Sequence, residues 1–182
     1  KAEAQGAIAN SGEIADRCTV EIPKMERVRF PIESEHRWKE GMSSADIFRL
    51  WLNDGWIYRG FGQLPRKLQR EYKERVEYEF GLFADKDFID YFLMLSDAVR
   101  ACKDNGIPVG PARGSAAASL ALYLLRITEV NPMHYPLMFF ERFVDPNRLD
   151  LPDVDLDFDD YLRDYVRQHM IKQYGIDSEG NI

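Results

Sequence analysis

The sequence predicts an α+β domain, and three observations predict it. Apolar residues recur at helical spacing between residues 44 and 102. A ten-residue run, LPDVDLDFDD at 151–160, alternates acidic and apolar side chains as a strand does. Glycine and proline punctuate the chain between these two patterns.

The helices come first. In SADIFRLWLNDGW, residues 44–56, Ile47, Leu50 and Trp51 mark one helical face and Gly55 reads as the stop. Leu68, Tyr72, Val76 and Phe80 form a stripe at every fourth position, and Phe88, Phe92, Leu95, Val99 and Cys102 form a second. The second stripe closes at KDNG, with Gly106 as the residue that leaves the helix. IPVGPARGS then reads as a short buried strand, a tight loop and a helix beginning near Ser115. A short helix is expected around LMFFERFV. A final one, DDYLRDYVRQHMIKQYG, is capped by Asp159 or Asp160, shows Leu162, Tyr165, Val166, His169 and Met170 on one face, and stops at Gly175. Upstream, EIADRCTVEIP predicts a short helix ended by Pro23, and Val28, Phe30 and Ile32 alternate like a short strand in an otherwise loop-like stretch.

Composition bounds the function. At 182 residues and 45% hydrophobic the chain can bury the core of one domain, which excludes a disordered tail. A net charge of −7 excludes a uniformly basic nucleic-acid module, although a cleft can be locally basic. No run approaches the roughly 18 apolar residues of a membrane span. Cys18 and Cys102 lie far apart in no ligand spacing, so both are expected as reduced core residues of a cytoplasmic protein. The start at Lys1 and the polar end IDSEGNI read as a piece excised from something longer.

In the acidic run, period two places Asp153, Asp155 and Asp157 on one face and Val154, Leu156 and Phe158 on the other. Same-face residues on a strand sit about 6.6 Å apart, so their carboxylates repel unless a cation compensates. Such carboxylates can converge on two divalent ions ~3.5–4 Å apart, the geometry of phosphoryl-transfer sites, and an oxygen-only donor set favours Mg²⁺ or Mn²⁺. A solvated edge-strand face is the competing account. A calcium loop is excluded, because Phe158 stands where the turn needs glycine and Asp164 where the loop needs glutamate.

Upstream, GPARGSAAASL sets Gly110, Pro111, Arg113, Gly114 and Ser115 before a predicted helix. Free N–H groups and the positive end of a helix dipole make such a start an anion site, with Arg113 adding charge and Ser115 a hydroxyl. Ser115 as a plain N-cap explains the same residues equally well. The loop is no Walker A motif, which requires Gly-Lys-Ser/Thr. A phosphate cradle and a carboxylate strand in one domain together point to nucleotidyl transfer, where a metal bridges carboxylate and triphosphate.

The run NGIPVGPARGSAAASLALYLLRITEVNPMHYPLMFFERFVDPNRLDLPDVDLDF closely resembles the C family of DNA polymerases, the family of the bacterial polymerase III alpha subunit. The family's nucleotide loop matches residues 110–120, its FERF segment Phe140–Phe143, and its Pro-Asp-x-Asp-x-Asp strand 152–157. Weaker similarity reaches from EIADRCTVEIP to RDYVRQHMIKQYG, so nearly the whole chain is covered. The resemblance implies a partial polymerase palm of the DNA polymerase beta-like nucleotidyltransferase type, a mixed sheet with flanking helices. It implies residues 1–30 as a linker after an absent polymerase-and-histidinol-phosphatase domain, and 31–182 as the N-terminal portion of the palm. Asp153 and Asp155 would be two catalytic carboxylates, with Asp157 a less essential third metal ligand. Gly114, Ser115 and Arg113 would hold the incoming dNTP, and Arg142 and Arg148 would face nucleotide or DNA. The partners implied are primer–template DNA, dNTP, the thumb and fingers, and a sliding clamp reached through absent regions. Because the thumb and the third catalytic aspartate lie beyond this chain, the isolated piece is expected to be inactive. The alternative is a non-catalytic, palm-like remnant serving as a structural or interaction module.

Glycine usually stands in this family where Ala112 and Ala118 stand here, which predicts a stiffer loop. His36, His134 and His169 are scattered and read as structural, and Trp38, Trp51 and Trp56 as core. Arg66, Lys67, Arg70, Lys73 and Arg75 interleave with Glu71 and Glu74, the pattern of a solvated helix face.

Overall fold

The computed structural model describes residues 2–19, 29–31, 41–147 and 150–175. The described residues form six α-helices: α1 (Ala2–Arg17), α2 (Ser44–Tyr58), α3 (Arg66–Asp85), α4 (Ile89–Asp104), α5 (Leu120–Leu124) and α6 (Arg163–Tyr174). Short 3-10 turns occur at Phe61–Gln63, Gly114–Ala118, Pro132–His134 and Phe140–Arg142.

This overturns the mixed-sheet α+β palm. Among the described residues the only β pairing is one isolated antiparallel bridge, Val109 to Phe158. Residues 151–158 alternate in burial as the pattern predicted but form no strand, and 107–111 offers little to pair with. Pro108 and Pro111 bracket the bridge and supply no N–H. Extended chain becomes sheet only when several strands share the ladder.

The apolar stripes fold as expected, with instructive exceptions. On α2, Ile47, Phe48, Trp51 and Leu52 are buried while Leu50 is exposed. Ser43 opens that helix with a capping box, its Oγ accepting from the Asp46 N–H and its own N–H donating to Asp46. Tyr72, Val76, Phe80 and Phe83 line the inner face of α3, and Phe92, Val99 and Cys102 that of α4, whereas Leu68 is exposed. Phe83 and Phe92 meet ring to ring at 4.4 Å, and Phe140 joins them. The helix α4 ends in a Schellman motif: Gly106 takes φ +71°, its N–H donates to the Lys103 carbonyl, and the Ile107 N–H donates to the Cys102 carbonyl.

Gly55 does not stop α2. It lies inside the helix, where a Cβ would fall 2.0 Å from the Leu124 carbonyl oxygen, so α2 and α5 cross backbone against backbone there. The helix α6 docks on α4 through Asp97, which pairs with His169 Nε2 at 2.9 Å and accepts from the Tyr174 hydroxyl at 2.9 Å. The sequence placed a short helix near residues 13–23; α1 begins at Ala2, ends at Arg17 and leaves Cys18 exposed rather than in a core. Pro23, Val28, Ile32, His36 and Trp38 fall outside the described residues. Phe30 is buried edge-on against Trp51 at 5.9 Å.

Candidate functional site

The acidic run and the glycine–serine loop come together. The Gly110 N–H donates to the Asp157 carbonyl at 2.8 Å, beside the Val109–Phe158 bridge. Val109 and Phe158 tuck against buried Cys102, Ile107 and Val166. Val154 and Leu156 pack on the main core. Asp153, Asp155 and Asp157 point the other way and are exposed, which is the period-two segregation the residues dictate. Tyr91 of α4 holds the start of the run by donating to the Pro152 carbonyl at 3.1 Å. Burial, and then the Asp153 charge, push the Tyr91 hydroxyl up to about 12.

Two glycines let the loop approach so closely. Gly114 adopts φ +63°, and a Cβ there would sit 3.6 Å from Asp155 Oδ2. At Gly110 a Cβ would come within 3.0 Å of the Asp157 Cβ. Ala112 and Ala118 need no such freedom, since Asp87 and Arg126 are the non-glycine positions of positive φ among the described residues. Their methyl groups therefore add no left-handed strain. Arg113 bridges the carboxylates, Nη1 donating to Asp157 at 3.1 Å with Nε 3.6 Å from Asp155. The hydrogen bond to Asp157, with the charges of Asp155 and Asp157, raises the Arg113 pKa above its ordinary value. All three side chains are largely exposed, so these pairs are weak and readily exchanged.

The α-helix does not begin near Ser115. Gly114–Ala118 is a 3-10 turn with Ser115 exposed, and α5 starts at Leu120 with Ser119 as its N-cap, accepting from the Leu122 N–H at 3.1 Å. Glu79 of α3, wholly buried, occupies the end of α5: it accepts from the Leu120 N–H at 3.0 Å, the Ala121 N–H at 2.9 Å and the Ser119 hydroxyl at 2.7 Å. The helix dipole at α5 is thus already answered by a carboxylate. The expectation of free N–H groups at a helix start near Ser115 is therefore not met.

Arg75 was expected on a solvated face. Its Nε donates to Glu79 at 2.6 Å and its Nη2 to the Ala118 carbonyl at 3.0 Å. The rest of that cluster behaves as predicted, with exposed i,i+4 pairs Lys67–Glu71 and Arg70–Glu74. Arg75, Glu79 and Tyr91 were missed as site residues. The available signal was Glu79 itself, an acid three residues after Val76 on an apolar stripe. At the other end of the loop, the Glu129 N–H donates to the Pro111 carbonyl at 2.5 Å, and the Glu129 carboxylate is gripped by Arg59 and Lys103. Arg142 is exposed on its 3-10 turn, His134 lies beside Asn131, and Trp56 meets Phe61 edge to face; Arg148 lies outside the described residues.

Among the described residues, no three His, Cys, Asp or Glu side chains converge as a metal cage. The donors at the acidic run are nonetheless all carboxylate oxygens, exposed and without imidazole or thiolate, a chemistry that fits Mg²⁺ or Mn²⁺ sharing its coordination with water and phosphate.

A sequence model of the family described as the bacterial DNA polymerase III alpha NTPase domain matches residues 51–182. The chain belongs to the bacterial DNA polymerase III alpha family. It is 35% identical over 179 residues to DNA polymerase III subunit alpha of Helicobacter pylori (strain 26695), covering 93% of this chain. To the subunits named likewise from Escherichia coli K12 and Vibrio cholerae it is 37% and 38% identical over 183 residues, covering 97% of the chain. The chain spans about 15% of the length of these polymerase III alpha relatives. The matched residues of this polymerase III alpha segment include both the glycine–serine loop and the acidic run. No described helix is long and apolar enough to cross a membrane.

Proposed function

We propose that this segment supplies part of the nucleotidyl-transfer centre of a replicative DNA-directed DNA polymerase, which extends a primer 3′ end with dNTPs. One observation carries the proposal: Arg113 and Gly114 lie directly against Asp155 and Asp157, so a phosphate-binding loop and metal-binding carboxylates share one surface. Asp153 and Asp155 would hold divalent cations, Mg²⁺ or Mn²⁺, with Asp157 as an accessory ligand. When bound, the cations supply Lewis-acid stabilisation of charge on the triphosphate and favour the ionised primer hydroxyl.

The chain's own residues do the rest. Arg113 exchanges its exposed carboxylate partners for phosphate oxygens, to which its planar fork is better suited. Gly114 leaves room for those oxygens at the backbone, and the exposed Ser115 hydroxyl donates to them. Tyr91, through the Pro152 carbonyl, keeps the acidic run in register with the loop. Primer–template DNA, thumb, fingers and clamp contacts are the partners of the whole enzyme.

Primer extension by the full-length polymerase tests this. Asp153→Asn and Asp155→Asn should each abolish metal-dependent extension. Because both side chains are exposed, the metal-free melting temperature should move by no more than about 2 °C. Near-normal extension by either variant would refute the assignment and leave the segment a non-catalytic module.

A further inference from the structure

We propose that Arg75 and Glu79 are positioning residues for nucleotide binding: their part-buried ion pair fixes the trailing end of the glycine–serine loop, and through it the seat of the triphosphate. The inference rests on the preceding assignment of Arg113, Gly114 and Ser115 to the nucleotide.

Four donors converge on the one Glu79 carboxylate: Arg75 Nε and the Leu120 N–H on one oxygen, the Ser119 hydroxyl and the Ala121 N–H on the other. Together they hold the Ser119–Ala121 backbone against α3. Arg75 adds a further tie, from Nη2 to the Ala118 carbonyl, the last residue of the 3-10 turn that begins at Gly114. Its guanidinium also lies 5.2 Å from the centre of the Phe140 ring, at the start of the FERF segment. The Arg75 side chain therefore touches the loop and that segment, and reaches α5 through Glu79.

A buried ion pair is poor evidence for stability, because desolvation offsets most of its attraction. Its strength is geometric. A 3-10 turn rises about 2.0 Å per residue and has little slack, so a shift at Ala118 is passed to Gly114 and Ser115. The leading end of the loop is tied separately, by the Glu129 N–H on the Pro111 carbonyl. Sites that orient phosphate require their support to be held to within about 0.5 Å, and displacement by an ångström can cost ~100-fold in rate. Glu79 and Arg75 touch neither the carboxylates nor any phosphate position, so they act only through the loop.

Glu79→Ala would strand several buried donors and endanger folding, so Arg75→Lys is the informative change. Lysine keeps the charge beside Glu79 but cannot donate to Glu79 and the Ala118 carbonyl with the same fork. In the full-length polymerase, steady-state extension should show the KM for dNTP raised about tenfold, with primer–template Kd and melting temperature near wild type. Arg75→Met should be worse on the same axis, with lysine giving partial rescue. An unchanged dNTP KM in Arg75→Lys overturns the proposal, as does a KM that rises only together with DNA Kd and loss of thermal stability. Arg113→Gln in the same assay separates the two levels. If it raises the dNTP KM and Arg75→Lys does not, the positioning role alone fails. If neither variant affects nucleotide use, the underlying assignment of the loop fails with it.

Discussion

Gly55→Ala should be the most disruptive single-methyl change in this domain. The added Cβ would sit 2.0 Å from the Leu124 carbonyl oxygen, 2.6 Å from its carbonyl carbon and 2.9 Å from its Cα. An ordinary contact for a Cβ lies at 3.4–4 Å, so the two helices must separate by more than about 1 Å. No flexible side chain can yield, because every atom met is backbone. Parting α2 from α5 would also open space around Leu124 and Leu52, both buried. Overpacking typically costs about 1–3 kcal/mol, and a purely backbone clash belongs at the upper end. Alanine recovers about 1 kcal/mol of helix propensity, leaving a net loss of about 2 kcal/mol or more. For a domain of this size that corresponds to a fall in Tm of roughly 4–8 °C. Thermal melts followed by helical circular dichroism would measure it, with Gly81→Ala as the control. Gly81 lies in α3 with nothing within 4 Å of its Cβ position, so there alanine should stabilise by up to about 1 kcal/mol. If Gly55→Ala proved as stable as Gly81→Ala, the backbone crossing would not exist in solution.

Two further outcomes are expected. The Glu129 carboxyl is held below its usual range: burial opposes this, but the Arg59 and Lys103 hydrogen bonds prevail. Its contribution to stability is therefore complete above the unfolded value of about 4.3 and is lost as pH falls through the lower folded value. The Tm gap between wild type and Glu129→Gln should hold from pH 6 to about pH 5 and narrow as pH falls below that; a gap independent of pH would show that the carboxylate is not paired as described. The isolated 182-residue chain should give no templated primer extension with Mg²⁺ while the full-length parent does, because it spans only about 15% of the length of its polymerase relatives. Robust synthesis by the isolated chain would show that a complete site lies within it.

The residues that were legible in the sequence and those that were not differ in where their partners lie. Tyr72, Val76 and Phe80 announce a buried face by spacing alone, because a helix makes neighbours of residues four apart. Gly106 announces a helix end because its left-handed backbone answers carbonyls of the same helix. Even the acidic run was half legible. Its alternation correctly sorted Asp153, Asp155 and Asp157 outward from Val154, Leu156 and Phe158, since that depends only on an extended chain lying over a core. Whether such a chain becomes a sheet depends on what lies beside it, and there the pattern misled. Gly55 and Glu79 depend on distant chain entirely. A glycine in NDG looks like a stop until Leu124 arrives against it, and an acid on the apolar stripe of α3 has no visible partner until Ser119, Leu120 and Ala121 turn their donors toward it. Ser115 and Ser119 stand four residues apart in the same small-residue run, and local propensity cannot choose between them as a cap. The choice falls to Ser119 because its hydroxyl can also donate to Glu79, a carboxylate forty positions away. Ser115, which caps no α-helix, is left exposed beside Arg113 and Gly114.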